Sequence, residues 1–353
     1  MIQHNQPFLS KNITNSINNT LATGWINYGE VSKKAEDLLS NTIYKKNNCA
    51  RLVINGTSAI YLALQALGIG KNDEVIIPSY SCTALLNAIY LANAKPIICD
   101  IDIDNLSFTK EILKPYINSS TKAILVVHTF GIACEIDDIK EFDIPIIEDC
   151  SQSLGSKFND NTMTGSKGNI SIFSFYASKL ITGGIGGAIS SKNKEIMDFI
   201  SDYINFDTPK IYKKRFNFQI SDINSSIILE GLKELDDILE IKQSIAKSYI
   251  KIISNRFDTK QSNNYRFLLE FKNIDEVEKC KDFLFKNNIK SIIPIESYEL
   301  LHNYLGLDRE KFINSEYAST HFLSIPIHLS LKKVEIKKIE EVLNDYFSSS
   351  TSI

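Results

Sequence analysis

The chain has 353 residues, with 39 Lys and Arg against 42 Asp and Glu for a formal net charge of −3, and it is 43% apolar. A near-neutral balance gives no electrostatic footing for nucleic acid or a membrane surface as partner, and that apolar share fills the cores of one large domain and a smaller one. No apolar run of about eighteen residues is present, so no membrane-spanning helix is expected.

Residues 1–11 are polar and lack the apolar stretch of a signal peptide. The six cysteines, Cys49, Cys82, Cys99, Cys134, Cys150 and Cys280, are scattered, and none forms a CxxC pair. Disulfides are not expected, and a reducing cytoplasm fits. Residues 51–54 read as a strand end and 58–67 as a helix. Residues 74–78 read as a strand, 84–91 as a helix and 95–99 as a strand. Four more apolar strands follow at 123–128, 144–149, 170–175 and 187–190. Continuous apolar strands separated by helices predict a mostly parallel sheet covered on both faces. Such a sheet binds ligands at the carboxyl ends of its strands.

A basic loop with Pro209 and Lys213–Arg215 comes next. A single long helical pattern then runs from about 222 to 253, with Ile223, Ile227, Ile228, Leu232, Leu235, Leu239 and Ile245 as its apolar stripe. Shorter elements at 265–271, 275–286, 322–327 and 333–347 predict a small α+β domain. The expected division is 1–240 for the large domain and 241–353 for the small one. The tail from Ser348 is expected to be disordered.

Three segments carry chemistry. Asn55-Gly56-Thr57-Ser58-Ala59 joins a strand to a helix. Its free N–H groups and two hydroxyls suit a phosphate, although a plain capped helix start gives the same pattern. Glu148-Asp149-Cys150-Ser151-Gln152 ends an apolar strand. An Asp there can bond a protonated ring nitrogen, and Gln152 can reach a ring oxygen; a polar strand end or a metal-binding acid pair reads the same. Ser174-Phe175-Tyr176-Ala177-Ser178-Lys179, ahead of Gly183-Gly184-Ile185-Gly186-Gly187, puts a lysine directly after a buried strand. Burial near a cationic ring makes a lysine a better nucleophile and base; most lysines at strand ends are simply solvated.

Taken in order, Gly56-Thr57-Ser58-Ala59, Asp73-Glu74-Val75-Ile76-Ile77-Pro78-Ser79-Tyr80, Asp100-Ile101-Asp102, Val127-His128 with Gly131, Glu148-Asp149 with Gln152 and Gly155, and Ser174 through Lys179 to Gly187 resemble the DegT/DnrJ/StrS family. A weaker likeness reaches Leu323-Ser324-Ile325-Pro326. The resemblance implies an α/β fold of the pyridoxal-5′-phosphate (PLP)-dependent transferase type I, with a mostly parallel seven-stranded sheet and a small C-terminal α+β domain. It implies an aminotransferase that moves an amino group from an amino acid, glutamate by default, to a keto-sugar, nucleotide-linked by default, in amino-sugar and polysaccharide biosynthesis. By the same resemblance Lys179 carries the cofactor as a Schiff base, Asp149 partners the pyridine nitrogen, and Gln152 lies near the ring oxygen. Gly56, Thr57, Ser58 and Ser174 match the phosphate cradle. Asn217 is similar to an asparagine that reaches the phosphate of the neighbouring subunit, which implies a homodimer with composite active sites. His128 is expected to be structural or to line the pocket.

The chain departs from the pattern at two cofactor-side positions. Cys82 stands where family members stack an aromatic on the ring, and Gln219 stands where they carry an arginine. A sugar dehydratase of the same fold would carry histidine in place of Lys179. A non-catalytic ligand sensor would have no need of the Lys179, Asp149 and Thr57–Ser58 set. A nicotinamide-dependent Rossmann enzyme would need G-x-G-x-x-G after the first strand, which Asn55–Ala59 does not supply.

Overall fold

The computed structural model describes residues 1–207, 209–253, 256–257 and 259–350. Two helices, α1 (Lys11–Ala22) and α2 (Glu30–Tyr44), precede the first strand. Strands β1 (Ala50–Val53), β2 (Glu74–Pro78), β3 (Lys95–Cys99), β4 (Thr121–Val127), β5 (Ile146–Asp149), β6 (Ile170–Ser174) and β7 (Gly187–Ser190) form one sheet. Between them lie α3 (Gly56–Ala66), α4 (Ala84–Leu91) and the single turn α5 (Lys110–Leu113). The sheet order is β1-β7-β6-β5-β4-β2-β3. Every neighbouring pair is parallel except the two that involve β7.

Alternation along the strands explains why both faces are apolar. Val75 and Ile77 of β2, with Ala123, Leu125 and Val127 of β4, join α3 and α4 in one core. The intervening Ile76, Ile124 and Val126 enter another core with Cys99, Phe108 and Leu113. Toward the β1 edge, Leu52, Phe173 and Ala188 pack on α2 and the later helices. A strand buried on both faces has no polar side to show, which is why these segments read as unbroken apolar runs.

After β7 come α6 (Lys194–Ile204), α7 (Asp222–Lys233) and α8 (Leu235–Ile250). The single helix expected over 222–253 is thus two, broken at Glu234 (φ −92°, ψ 6°). The break also shifts the buried face of α7, which runs through Ser225, Ile228, Leu229 and Leu232 while Ile223 and Ile227 stay half-buried. The first half of α8 (Leu235, Ile238) packs on the large core, and Ile245, Ala246 and Tyr249 pack on a second one. That second core holds the antiparallel pair β8 (Phe267–Glu270) and β9 (Phe322–Ile325), with α9 (Ile274–Lys286) and α12 (Lys333–Ser350). The short α10 (Leu301–Tyr304) and α11 (Ile313–His321) lie between them. Ile2 bridges to Ile289, so the first residues of the chain belong to this C-terminal core as well. The expected disorder from Ser348 is corrected: α12 continues to Ser350, and residues 351–353 lie outside the described residues.

One buried carboxylate ties the N-terminal helices to the large domain. Asp222, at the start of α7, accepts from the N–H groups of Gly29 (2.9 Å), Val31 (3.1 Å) and Ser32 (2.9 Å) and from the Ser32 hydroxyl (2.6 Å). Those donors sit at the positive N-terminus of α2, where an anion is stabilised. Asp222→Ala leaves several buried donors unsatisfied and is expected to cost about 3 kcal/mol in urea unfolding. A loss below about 1 kcal/mol would mean that other groups replace the carboxylate.

Candidate active site

The carboxyl ends of β1, β2, β4, β5 and β6 and the start of β7 meet at one edge of the sheet. The chemistry-bearing segments lie there because each directly follows its strand. At the end of β1, Asn55 caps α3, its side chain accepting from the Ser58 N–H at 2.8 Å. Among the described residues no protein acceptor meets the N–H groups of Gly56 and Thr57. Gly56 abuts β6: a Cβ there would stand 3.2 Å from the Ser174 Cβ. Gly187 lets β7 come still closer, since a Cβ there would lie 2.4 Å from the Asn55 carbonyl carbon and 2.6 Å from the Gly56 nitrogen. The obstacle is backbone and cannot swing aside. Gly187→Ala is therefore expected to push this turn off β7 and to lower thermal stability by about 1–3 kcal/mol; an unshifted melting temperature would contradict the close packing.

Asp149 ends β5 and is buried. Its Oδ1 accepts from the Ser151 N–H at 2.8 Å. Burial pushes its carboxyl above the ordinary range, against the Ser151 bonds and the nearby Lys179 ammonium. A buried carboxylate so poorly compensated calls for a cation beside it. Its neighbour Glu148 points the other way. Burial would raise Glu148 too, but the His128 bond and the N–H groups of Gly168 and Gly165 prevail and hold it below the usual range. His128 accepts from the Cys134 N–H at Nδ1 (3.1 Å), so Nε2 carries the proton and donates to Glu148 at 2.9 Å. Of its two expected roles, His128 therefore has the structural one. His128, Glu148 and Cys150 are close enough to hold a metal ion, but the Glu148 oxygens are already taken by these donors.

Lys179 lies half-buried in a turn closed by its own N–H to the Tyr176 carbonyl (2.9 Å). The preceding carbonyl, of Ser178, accepts from Asn5 Nδ2 at 2.9 Å and from the Tyr265 hydroxyl at 3.4 Å. Lys179 Nζ sits 5.5 Å from the centre of the Tyr265 ring. It opens into a cleft of about 280 Å³ that Cys82, Gln152 and Ser178 also line. Cys82 is exposed to this cleft, and desolvation by the surrounding protein pushes its thiol up. Tyr80 does not take over a stacking role for Cys82, because its ring is fully buried edge-on to Phe130, 5.9 Å between centres. Gln152 Oε1 accepts from the Phe130 N–H (2.9 Å), which leaves its NH₂ group to donate. Asn217 does not line the cleft; it lies exposed on the loop before α7.

Sequence reasoning missed the opposite wall: Phe130, Tyr265, Arg266, Ile295, Glu299 and Tyr304. The only local signal was Arg266, a charge inside the otherwise apolar run 265–269.

A half-buried lysine and a buried carboxylate at one sheet edge, beside a helix N-terminus open to an anion, suit a transferase site for a phosphate-bearing ligand. Comparison with known proteins agrees. The model of the DegT/DnrJ/EryC1/StrS aminotransferase family matches residues 7–344. A GDP-perosamine synthase of Vibrio cholerae is 31% identical over 99% of this chain and 100% of its own. A dTDP-3-amino-3,6-dideoxy-alpha-D-galactopyranose transaminase of Aneurinibacillus thermoaerophilus is 30% identical over 95% of each. The crystal structure of an aminotransferase from Streptoalloteichus hindustanus has the same fold, with a TM-score of 0.89 over 100% of both chains at 21% identity. The chain belongs to the DegT/DnrJ/EryC1/StrS aminotransferase family.

Proposed function

We propose that the protein is a PLP-dependent aminotransferase that takes an amino group from an amino acid, L-glutamate in the first instance, and gives it to a nucleotide-linked keto-sugar. The observation that carries this is Lys179 and Asp149 at one sheet edge, close enough for the ammonium to act on the buried carboxyl. The residues present fit the cofactor. Gly56 lets the turn lie against Ser174, at a helix end whose first N–H groups have no protein acceptor among the described residues. Asp149 lacks the cation that a protonated pyridine nitrogen would supply. Bound there, PLP provides an electrophilic carbonyl carbon and an electron sink.

The chain's own groups do the rest. Lys179 Nζ would hold the cofactor covalently and would take the proton from the donor's α-carbon. Asp149 would keep the ring nitrogen protonated. Gln152 would donate toward the ring oxygen, and Gly56, Thr57, Ser58 and Ser174 would hold the phosphate. Cys82 would offer sulfur where relatives offer an aromatic side chain. Residues 1–240 make up the cofactor-binding domain, apart from the first few, which join the smaller domain of 241–353. The exposure of Asn217, with that of Ile211, Tyr212 and Phe216, supports a homodimer in which Asn217 reaches the site of the second copy. Among the described residues no helix is long and apolar enough to cross a membrane, and the six unpaired cysteines suit the cytoplasm.

The test is a two-step reaction. Incubation of the cofactor-loaded protein with L-glutamate should convert the visible absorbance to that of the amine form and release 2-oxoglutarate. Addition of nucleotide-linked 3-keto and 4-keto hexoses should restore it for one of them. No conversion with any amino acid would sink the reading.

A further inference from the structure

We propose that Arg266, with the Tyr80 hydroxyl beside it, is a carboxylate anchor in the cleft, so that one of the two substrates is recognised there through an anionic carboxylate; this rests on the aminotransferase reading above. Arg266 precedes β8 and lies between two aromatic rings, its guanidinium carbon 5.3 Å from the centre of Phe130 and 5.6 Å from that of Tyr265. Both Arg266 and Tyr80 line the cleft that Lys179 opens into. Arg266 Nε and Tyr80 Oη are buried and have no hydrogen-bond partner among the described residues. Two orphaned donors on one wall are an unusual cost for a folded protein, and a ligand oxygen removes it.

The charge has no direct counter-ion either. Among the described residues no carboxylate forms an ion pair with Arg266. Glu299 lines the same cleft and acts on Arg266 without pairing with it, its Oε2 being taken by the Glu296 N–H at 2.9 Å. The other nitrogen groups around it are bases. Arg266 Nη1 lies 3.4 Å from His4 Nε2. Burial first, and Arg266 second, bring His4 down to about 3 and Lys242 to about 7. Burial lowers His328 too, with Lys242 acting in the same sense. The guanidinium is therefore a fixed cation among bases held wholly or partly neutral, and a buried unpaired charge attracts an anion.

Geometry selects a carboxylate on a reacting substrate. The cofactor's phosphate belongs at the Gly56–Ser58 turn, the end of the site built of N–H groups and hydroxyls. Lys179 Nζ and the Arg266 guanidinium carbon flank one ring, Tyr265, at 5.5 and 5.6 Å, so they are at most about 11 Å apart. A carboxylate one to four bonds from the reacting carbon spans that gap when held by a planar two-pronged donor. An amino acid offers such a group, and so does a keto-sugar acid.

The test uses cofactor-loaded wild type, Arg266→Gln and Arg266→Lys. Each is titrated with glutarate, a non-reacting dicarboxylate, and followed by the cofactor's absorbance. The two half-reactions are then run separately, with L-glutamate, and with nucleotide-linked keto-hexoses that are neutral or carry a C6 carboxylate. Arg266→Gln is expected to raise the KM of the anchored substrate about 100-fold or more, with kcat less affected and with neutral keto-hexoses unchanged. Arg266→Lys should fall between, because it keeps the charge and loses the fork. A loss on glutamate and glutarate assigns the anchor to the donor, and a loss on the acidic sugar alone assigns it to the acceptor. If no carboxylate ligand loses more than the neutral hexose does, the anchor is wrong. Should Arg266→Gln fail to fold, Arg266→Lys decides by the same comparison. Wild type that takes up no PLP would overturn the aminotransferase reading itself, a result visible before any variant is made.

Discussion

Lys179→Ala is expected to abolish amino transfer, with turnover falling by about 10⁴-fold or more, because one residue supplies both the covalent link and the proton carrier. The variant should still fold. Lys179 is half-buried in a turn whose closing bond, from its own N–H to Tyr176, is made by the backbone. Its side chain lies 5.5 Å from the centre of the Tyr265 ring and, among the described residues, forms no ion pair with a carboxylate. Two measurements check this: the steady-state rate, and the visible absorbance of the lysine-linked cofactor, which should be lost. A variant with the wild-type spectrum and rate would show that another amine does the chemistry. Lys242, buried nearby with its pKa brought down to about 7, is the alternative amine that such a result would point to.

Asp149→Ala is the second large effect. The carboxyl lies buried at the end of β5, where Ser151 alone bonds it, through its N–H on Oδ1 and its side chain, and no cation is paired with it among the described residues. Without it the ring nitrogen loses its proton and the ring accepts electrons poorly. Turnover is expected to fall by about 10²–10⁴-fold while the lysine link and its absorbance persist. Asp149→Asn should fall into the same range, since it keeps the shape and loses the charge. The stability change has the opposite sign. Burial raises the Asp149 carboxyl, so in the cofactor-free protein ionisation above the unfolded value costs stability; the alanine variant should be no less stable at pH 7 without cofactor and should gain less from adding it. Melting temperatures measured with and without PLP separate the two contributions. Equal cofactor stabilisation in wild type and variant would mean that Asp149 does not meet the ring.

Much of this site could be read from local pattern. Lys179, Asp149 and the Gly56–Ser58 turn each directly follow an apolar strand, and in a parallel sheet the strand ends share one edge. The alternation of Ile76 with Val75 and Ile77 shows why such strands look uniformly apolar: each face has its own core. Less could be read where an element depends on distant partners. Helices α1 and α2 went unread because polar residues dominate them, and α2 is started by Asp222, some 190 residues away. The break at Glu234 was hidden by a sequence stripe that stays in phase across it. For His128 the sequence left a structural and a pocket role open, and its bonds to Cys134 and Glu148 decided for the structural one.

The order of strands, turns and reactive side chains is set by short-range chemistry, since period, capping and glycine act within a few residues. The far wall of the cleft is different in kind. Tyr80, Phe130, Arg266 and Glu299 come together only because β8 and its helices fold back over the sheet edge, and the unpaired state of Arg266 depends on which carboxylates failed to reach it. Whether a charge is solvated, paired or stranded is a property of its three-dimensional surroundings, and no local spacing encodes it.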